Sequence, residues 1–207
     1  MIVAQRMRKP VITASPTTTL AQAQALLRDH AIRHLPVVEG GKLVGIVSSR
    51  DIRAAVPLPA APEEARAYAE RLQALPVSDV MAREVVAVVP FTPVEHCARL
   101  MTEYKIGCLP VVAEGRIEGM VTTTDVLAMM AEMMGVHEAG SRIEVEVPAA
   151  PGALGEVARI IESHGVGIAS IASVPASERG RTRLVMRLQT INPRPVIEAL
   201  ERAGYQA

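Results

Sequence analysis

The sequence predicts an α/β chain of the α+β kind, in which one βαββα-type unit is used twice and a different unit follows. The first observation is a passage that recurs at a fixed offset. Arg33-His34-Leu35-Pro36-Val37-Val38 returns as Gly107-Cys108-Leu109-Pro110-Val111-Val112, 74 positions on. Gly45-Ile46-Val47-Ser48-Ser49-Arg50-Asp51 returns at the same offset as Gly119-Met120-Val121-Thr122-Thr123-Thr124-Asp125. A repeat that holds its register is one structural unit used twice, and two such units are expected to pack as a pseudo-twofold pair with a cleft between them. The second observation is that each copy alternates strand-period and helix-period apolar patterns. The third is a change of pattern past Gly135. The expected boundaries are 1–56 for the first repeat, 57–76 for a linker with a short helix, 77–136 for the second repeat and 141–207 for the last domain.

In the first copy, Val11-Ile12-Thr13 reads as a short strand closed by Pro16. Thr17 or Thr18 is the expected cap of a helix whose Leu20, Ala23, Leu26 and Leu27 share one face. Leu35 to Val38 is a strand, Glu39-Gly40-Gly41 turns it, and Leu43 to Val47 returns antiparallel. A helix begins near Asp51 and ends before Pro57. The second copy repeats the plan: Val85 to Val89 is a buried strand, and Thr92-Pro93 is an expected cap followed by proline at the first helical position. Val94, Cys97, Leu100 and Met101 line that helix, Glu114-Gly115 makes the turn, and a closing helix runs from about Asp125 to Met134. The linker helix opens at Pro62-Glu63-Glu64, where acidic residues suit the positive helix end, and runs to about Gln73. In the last domain Ile143 to Val147 alternates as a half-buried strand. Gly152 to His164 is a helix stopped by Gly165. Gly167 to Val174 and Thr182 to Gln189 are strands joined by a turn containing Gly180, and Pro193 to Ala203 is a final helix.

Composition excludes several classes of function. The 207 residues carry 22 basic and 22 acidic side chains, for a formal net charge of zero, so long-range attraction to nucleic acid or an anionic membrane is not expected. Phe91, Tyr68, Tyr104 and Tyr205 are the only aromatics, too few for base-stacking platforms. Cys97 and Cys108 fit no metal spacing, and Ala23 and His34 hold their places one repeat earlier, so buried reduced thiols are expected. The start, Met1 to Ala4 followed by Arg6, Arg8 and Lys9, does not read as a signal peptide. The apolar run Val85 to Val89 is far too short to span a bilayer. A cytoplasmic protein with no membrane and no nucleic-acid partner is expected.

The residues with most chemical content are Ser48 with Asp51, and Thr122 with Asp125. In each pair a hydroxyl residue ends a strand and an aspartate follows three positions later at the start of a helix. The pattern is that of a capping box, and helix initiation alone accounts for it. The same geometry also suits a ligand. A helix N-terminus beside a hydroxyl holds phosphate, and an ionised carboxylate accepts from two vicinal ribose hydroxyls. His30 and His34 have the spacing of a helical metal pair, but His34 begins the Leu35 strand, so no metal site is expected. His96, His137 and His164 read as surface or cap residues, Glu144 and Glu146 as the wet side of a strand, and no catalytic set emerges. Met129, Met130, Met133 and Met134 form a stripe suited to a core or a subunit interface.

These residues carry a resemblance. The doubled hydrophobic-Pro-Val-Val strand followed by Gly-x-x-Ser/Thr-x-x-Asp at a helix start resembles a tandem pair of CBS domains, the Bateman module. The resemblance implies that Asp51 and Asp125 bind the ribose of an adenosine nucleotide, that Ser48 and Thr122 lie near its phosphate, and that backbone around Thr13 and Leu35, and around Ala87 and Leu109, frames adenine. It implies no cofactor beyond an adenosine nucleotide as regulatory ligand. Arg33 and His34 precede the first Leu-Pro, where many relatives keep basic residues for phosphate. Gly107 and Cys108 offer no charge there, so a ligand of two or three phosphates is expected to prefer the cleft that Arg33 and His34 line, with Lys42, Arg50 and Arg116 as weaker candidates.

The last domain, through Val147-Pro148-Ala149-Ala150-Pro151-Gly152-Ala153-Leu154 and Gly165-Val166-Gly167-Ile168, resembles an ACT domain, which implies a ferredoxin-like fold. Members often bind amino acids in the loop here formed by Pro151, Gly152, Ala153 and Leu154. Ala149, Ala150 and Gly167 replace the usual polar anchors, and the last strand is expected to be short or missing. The order CBS–CBS–ACT is similar to that of the acetoin-utilisation (AcuB-like) proteins. The expectation is a non-catalytic regulatory protein that binds an adenosine nucleotide of the AMP, ADP or ATP class between its CBS repeats and passes the signal through the ACT domain of a homodimer to a regulated protein. Two alternatives stand beside it: an interaction module without nucleotide, and an amino-acid or acetoin-related sensor acting through the ACT domain.

Overall fold

Two units make up the chain in the computed structural model, which describes residues 1–207. The first is Met1–Val126 and the second Leu127–Ala207. In the first unit α1 (Leu20–Asp29), β1 (His34–Glu39), β2 (Lys42–Ser48) and α2 (Ser49–Ala55) form one repeat. α3 (Ala65–Ala74) is the linker helix. α4 (Val94–Tyr104), β3 (Cys108–Ala113), β4 (Arg116–Thr122) and α5 (Thr123–Met133) form the other, α5 continuing beyond the unit.

The two hairpins have the same register. His34 faces Ser48 as Cys108 faces Thr122, and a bulge falls between Val37 and Val38 as it does between Val111 and Val112. The apolar positions explain which faces are buried. Leu20, Ala23 and Leu27 of α1 pack with Leu35, Val37, Val47 and Ile52, and Leu72 of α3 closes the cluster. Burial at about 25 cal/mol per Å² makes this the main stabilising contribution.

Three local expectations are corrected. Val11-Ile12-Thr13 is not a strand; only Ala14 pairs, as a single parallel bridge to Val37, and in the second copy only Val88 pairs, to Val111. The bracketing prolines Pro10, Pro16 and Pro90 lack the N–H a longer ladder needs. The cap of α1 is Thr19, not Thr17 or Thr18, because Thr19 and Gln22 exchange hydrogen bonds in a capping box. Thr18 instead accepts from the Ser15 amide at 3.0 Å, and Thr92 from the Val89 amide at 3.1 Å. Thr92 is thus a turn residue, and Pro93 stands in the cap position of α4 without a side-chain bond.

The segments that lead into the repeats are exchanged between them. The Val3 and Ala4 amides donate to Thr92 and Pro90, and the Val77 and Ser78 amides donate to Thr18 and Pro16. Arg8 bridges to Met120 of β4, and Ala82 bridges to Ile46 of β2. Gly119 and Gly45 have no side chain because the other copy needs the room: a Cβ at Gly119 would collide with Met7, and one at Gly45 with Met81 and, at 3.1 Å, the Ala82 carbonyl. Residues 3–8, expected in the first repeat, are therefore hydrogen-bonded onto the second.

The second unit contains β5 (Ser141–Pro148), α6 (Ala153–Ser163), β6 (Ile168–Pro175), β7 (Arg181–Leu188) and α7 (Arg194–Arg202). Its antiparallel sheet has the order β5-β7-β6, and Gln206 adds one bridge to Glu146 at the outer edge of β5, all that stands for the last strand. Ile143, Val145 and Val147 alternate inward against Val157, Ile161, Val196 and Leu200 of the two helices. Outward, Arg183 donates to Glu146 at 2.8 Å and Arg142 pairs with Glu144 at 2.5 Å. No helix is long and apolar enough to cross a membrane.

Candidate functional site

Each strand-to-helix junction of the first unit closes as a reciprocal cap. Ser48 Oγ accepts from the Arg50 and Asp51 amides, both at 3.2 Å, while Asp51 Oδ2 accepts from the Ser48 amide and hydroxyl, both at 2.7 Å. Asp125 Oδ2 likewise accepts from the Thr122 amide at 2.8 Å and hydroxyl at 2.5 Å. The capping reading of the motif is thus realised in both copies, and it uses only one carboxylate oxygen of each aspartate.

The other oxygens differ. Asp125 Oδ1 accepts from Arg8 Nε at 2.9 Å and Nη2 at 2.8 Å. Asp51 Oδ1 makes no hydrogen bond or ion pair. Burial would raise the Asp125 pKa, but hydrogen bonds from Arg8 and Thr122 together with the guanidinium charge bring it below the ordinary carboxylate value.

A cleft of about 950 Å³ opens beside both junctions, within the size range of small-molecule sites. Ser48, Ser49 and Arg50 line it from one copy, Thr122, Thr123 and Thr124 from the other. Arg8, Arg33, Arg53 and Lys105 also line it, and no Asp or Glu does. Arg33, Arg50, Arg53 and Lys105 have no ion-pair partner in the chain, so the cleft wall is net cationic. His34 also lines the cleft, its ring 3.3 Å from where a Gly107 side chain would begin. Burial lowers its pKa, nearby Asp51 opposes that effect, and Arg33 and Arg50 reinforce it.

Of the residues expected from the sequence, the structure brings Arg33, His34, Ser48 and Thr122 to one cleft, with Asp51 and Asp125 bonded to the two hydroxyl residues. Leu35 and Leu109 are fully buried and line neither hollow. Thr13 and Arg116 line a separate hollow of about 580 Å³. Ala87 is exposed and Lys42 lies at the start of β2; neither lines the cleft. Arg8, Arg53 and Lys105 were not singled out by the motif. Arg53 stands three positions after Arg50 on α2, a spacing that shares a helix face; Lys105 ends α4 in the left-handed conformation.

His30 caps α1 and His34 opens β1, so the two are not one turn apart on a helix. The Cys97 and Cys108 thiols are buried, and burial pushes Cys108 up to about 12; such a thiol is not a nucleophile at neutral pH. In the second unit Gly152 opens α6 at φ +93, and Leu154 is exposed; Pro151, Gly152, Ala153 and Leu154 bring no polar side chain to that loop.

The CBS domain family matches residues 3–58 and 77–132, more than half of the chain. The chain belongs to the CBS domain family. A CBS domain-containing protein of Dictyostelium discoideum is 37% identical over 136 residues, 65% of this chain and 94% of that protein. An inosine-5'-monophosphate dehydrogenase of Korarchaeum cryptofilum is 33% identical over 144 residues, 69% of this chain but only 27% of the enzyme. Among solved structures, a Vibrio cholerae protein assigned to acetoin utilization (AcuB) is 31% identical with a TM-score of 0.55, covering 66% of this chain and 95% of that one. The CBS domain pair of protein MJ0100, in complex with 5'-methylthioadenosine and S-adenosyl-L-methionine, is 33% identical with a TM-score of 0.52, over 64% of this chain and 97% of that one. CBSX2 in complex with AMP is 27% identical with a TM-score of 0.54, again over 64% and 97%. Adenosine ligands are thus bound by CBS pairs similar to this one.

Proposed function

We propose that this CBS pair is a non-catalytic sensor of a phosphorylated adenosine nucleotide. The cleft carries the reading: Ser48 and Thr122 stand in one hollow with Arg33, Arg50, Arg53 and Lys105, and no carboxylate lines it. Guanidinium groups suit phosphate oxygens. Such a lining favours AMP, ADP or ATP over the cationic sulfonium of S-adenosylmethionine. Asp51 stands behind the cleft-lining Ser48, bonded to its hydroxyl, and offers its unbonded oxygen as the ribose acceptor; Arg33 and His34 meet phosphate beside Ser48. Backbone near Leu35 and Leu109, with Thr13 and Ala87 at the margins, supplies the adenine contacts that the family resemblance implies.

Binding acts by differential affinity for two arrangements of the repeats, relayed through an ACT-type second unit in a homodimer. The second unit's antiparallel sheet with two helices on one face supports the ACT reading. Exposed Leu127, Met130, Met133 and Met134 support pairing of two copies. Isothermal titration with AMP, ADP, ATP and S-adenosylmethionine tests the function. Binding of the nucleotides more tightly than S-adenosylmethionine is expected; four flat traces from folded protein sink it. Sedimentation at micromolar concentration tests the dimer.

The complete capping boxes favour a second reading, in which both aspartates only start helices and the chain is an interaction module. A melting temperature that no nucleotide raises selects that reading, because any ligand selective for the native state must stabilise it.

A further inference from the structure

Arg8 and Ala82 occupy matching places in the repeat, 74 positions apart. Their backbones are held alike: Arg8 exchanges hydrogen bonds with Met120 at 2.9 and 3.2 Å, and Ala82 with Ile46 at 2.9 Å both ways. Met120 and Ile46 are themselves equivalent, five residues before Asp125 and Asp51. The exchanged lead-in segment therefore presents one side chain to each aspartate. In the second copy that side chain is a guanidinium fork on Asp125 Oδ1. In the first it is a methyl group, too short to reach, and Asp51 Oδ1 stays unbonded.

We propose that Arg8 is a latch on the second nucleotide site, closing the Asp125 carboxylate to ribose, whereas Asp51 keeps an unbonded acceptor oxygen because Ala82 stands in the latch's place. The inference rests on the nucleotide reading above and adds which site fills first and which residue decides it. An acceptor oxygen that already receives two charge-assisted bonds must give them up before it takes two ribose hydroxyls. The Arg8 side chain is 60% exposed, so the latch yields to ligand rather than blocking it. The protein then responds in two stages: Asp51 fills at low nucleotide, and Asp125 fills only when nucleotide outcompetes Arg8.

Calorimetric titration of the full chain with AMP tests this in wild type, Arg8→Gln and Ala82→Arg, each shown folded by its circular dichroism melt. Wild type is expected to bind one AMP per chain tightly and a second about tenfold or more weakly, the scale of a charge-assisted hydrogen bond. Arg8→Gln brings the two affinities to within about threefold by tightening the weaker one. Ala82→Arg weakens the tighter one about tenfold. Two equal sites in wild type, or an Arg8→Gln protein whose weaker site is unchanged or weaker still, as when Arg8 itself holds phosphate, overturns the latch and leaves the nucleotide reading standing. Absence of AMP binding from all three proteins overturns both.

Discussion

In the first CBS repeat Asp51 grips Ser48 with one oxygen and keeps the other unbonded; in the second, Asp125 grips Thr122 the same way and gives its other oxygen to Arg8. The hairpin registers match residue for residue, including the bulge. Backbone symmetry is therefore kept by what both copies need in order to fold: the cap, the bulge and the glycine under the exchanged methionine. Side-chain symmetry lapses at Arg33 against Gly107, His34 against Cys108, and Arg8 against Ala82. Capping thus takes one oxygen of each carboxylate and leaves the other to a different partner.

The comparison can be broken most forcefully at Asp51. Asp51→Ala is expected to weaken the tighter nucleotide site by about tenfold to a hundredfold, the scale of hydrogen bonds to a charged group, while Asp125→Ala leaves that site within about threefold. Equal losses, read by titration calorimetry, abolish the distinction between the copies.

A smaller effect is shared by the two glycines. Gly45→Ala drives a Cβ against Met81 and, at 3.1 Å, the Ala82 carbonyl, and Gly119→Ala drives one to 2.8 Å from Cγ and 3.0 Å from Cβ of Met7. Overpacking costs about 1–3 kcal/mol, so both substitutions are expected to destabilise within that range. Denaturant unfolding checks it, and a neutral result at either glycine breaks the match between the copies.

The cleft cations sharpen the contrast further. Replacing Arg50 and Arg53 together by alanine is expected to weaken ATP more than AMP, and to flatten the salt dependence of ATP binding. A uniform loss for both nucleotides places the two arginines away from the added phosphates.

Titration offers a fourth, milder probe. Burial holds the His34 pKa below its ordinary 6.5, so the unfolded chain takes the proton more readily than the folded one. The stability this contributes is fully present above pH 6.5 and is lost as pH falls through the folded-state value. Asp125, also lowered, behaves the same way about its ordinary 3.8: its contribution is present above that pH and is lost only below it. The melting temperature is therefore expected to fall between pH 7.5 and 5.5, and less so in His34→Gln; Asp125→Asn is not expected to alter that window. The smallest effect is on stability from Arg8→Ala, about 1 kcal/mol or less for a half-exposed pair.

Much of this was legible in the residues. The fixed 74-residue offset specified two like units, and period-two and helical patterns located α1, β1, β2 and their repeats because those elements bury one face each. Ser48, Asp51, Thr122 and Asp125 were visible because a cap is a local object spanning four residues. The cap of α1 is ambiguous by one or two residues in the sequence because Thr17, Thr18 and Thr19 stand in a row and only the bond to Gln22 distinguishes them. The first strand was overread for a related reason: apolar residues between prolines look like a strand but have few partners to pair with.

The repeat and the paired aspartates are written in the residues, one in a constant spacing and the other within a few consecutive positions. Tertiary packing sets that the lead-in segments exchange, that four unpaired cations meet in one cleft, and that Arg8 bonds Asp125 across 117 residues of chain. Periodicity carries information about which face a residue shows, not about which distant residue faces it. That second fact depends on how two symmetric units dock, and here it makes two like sites unlike.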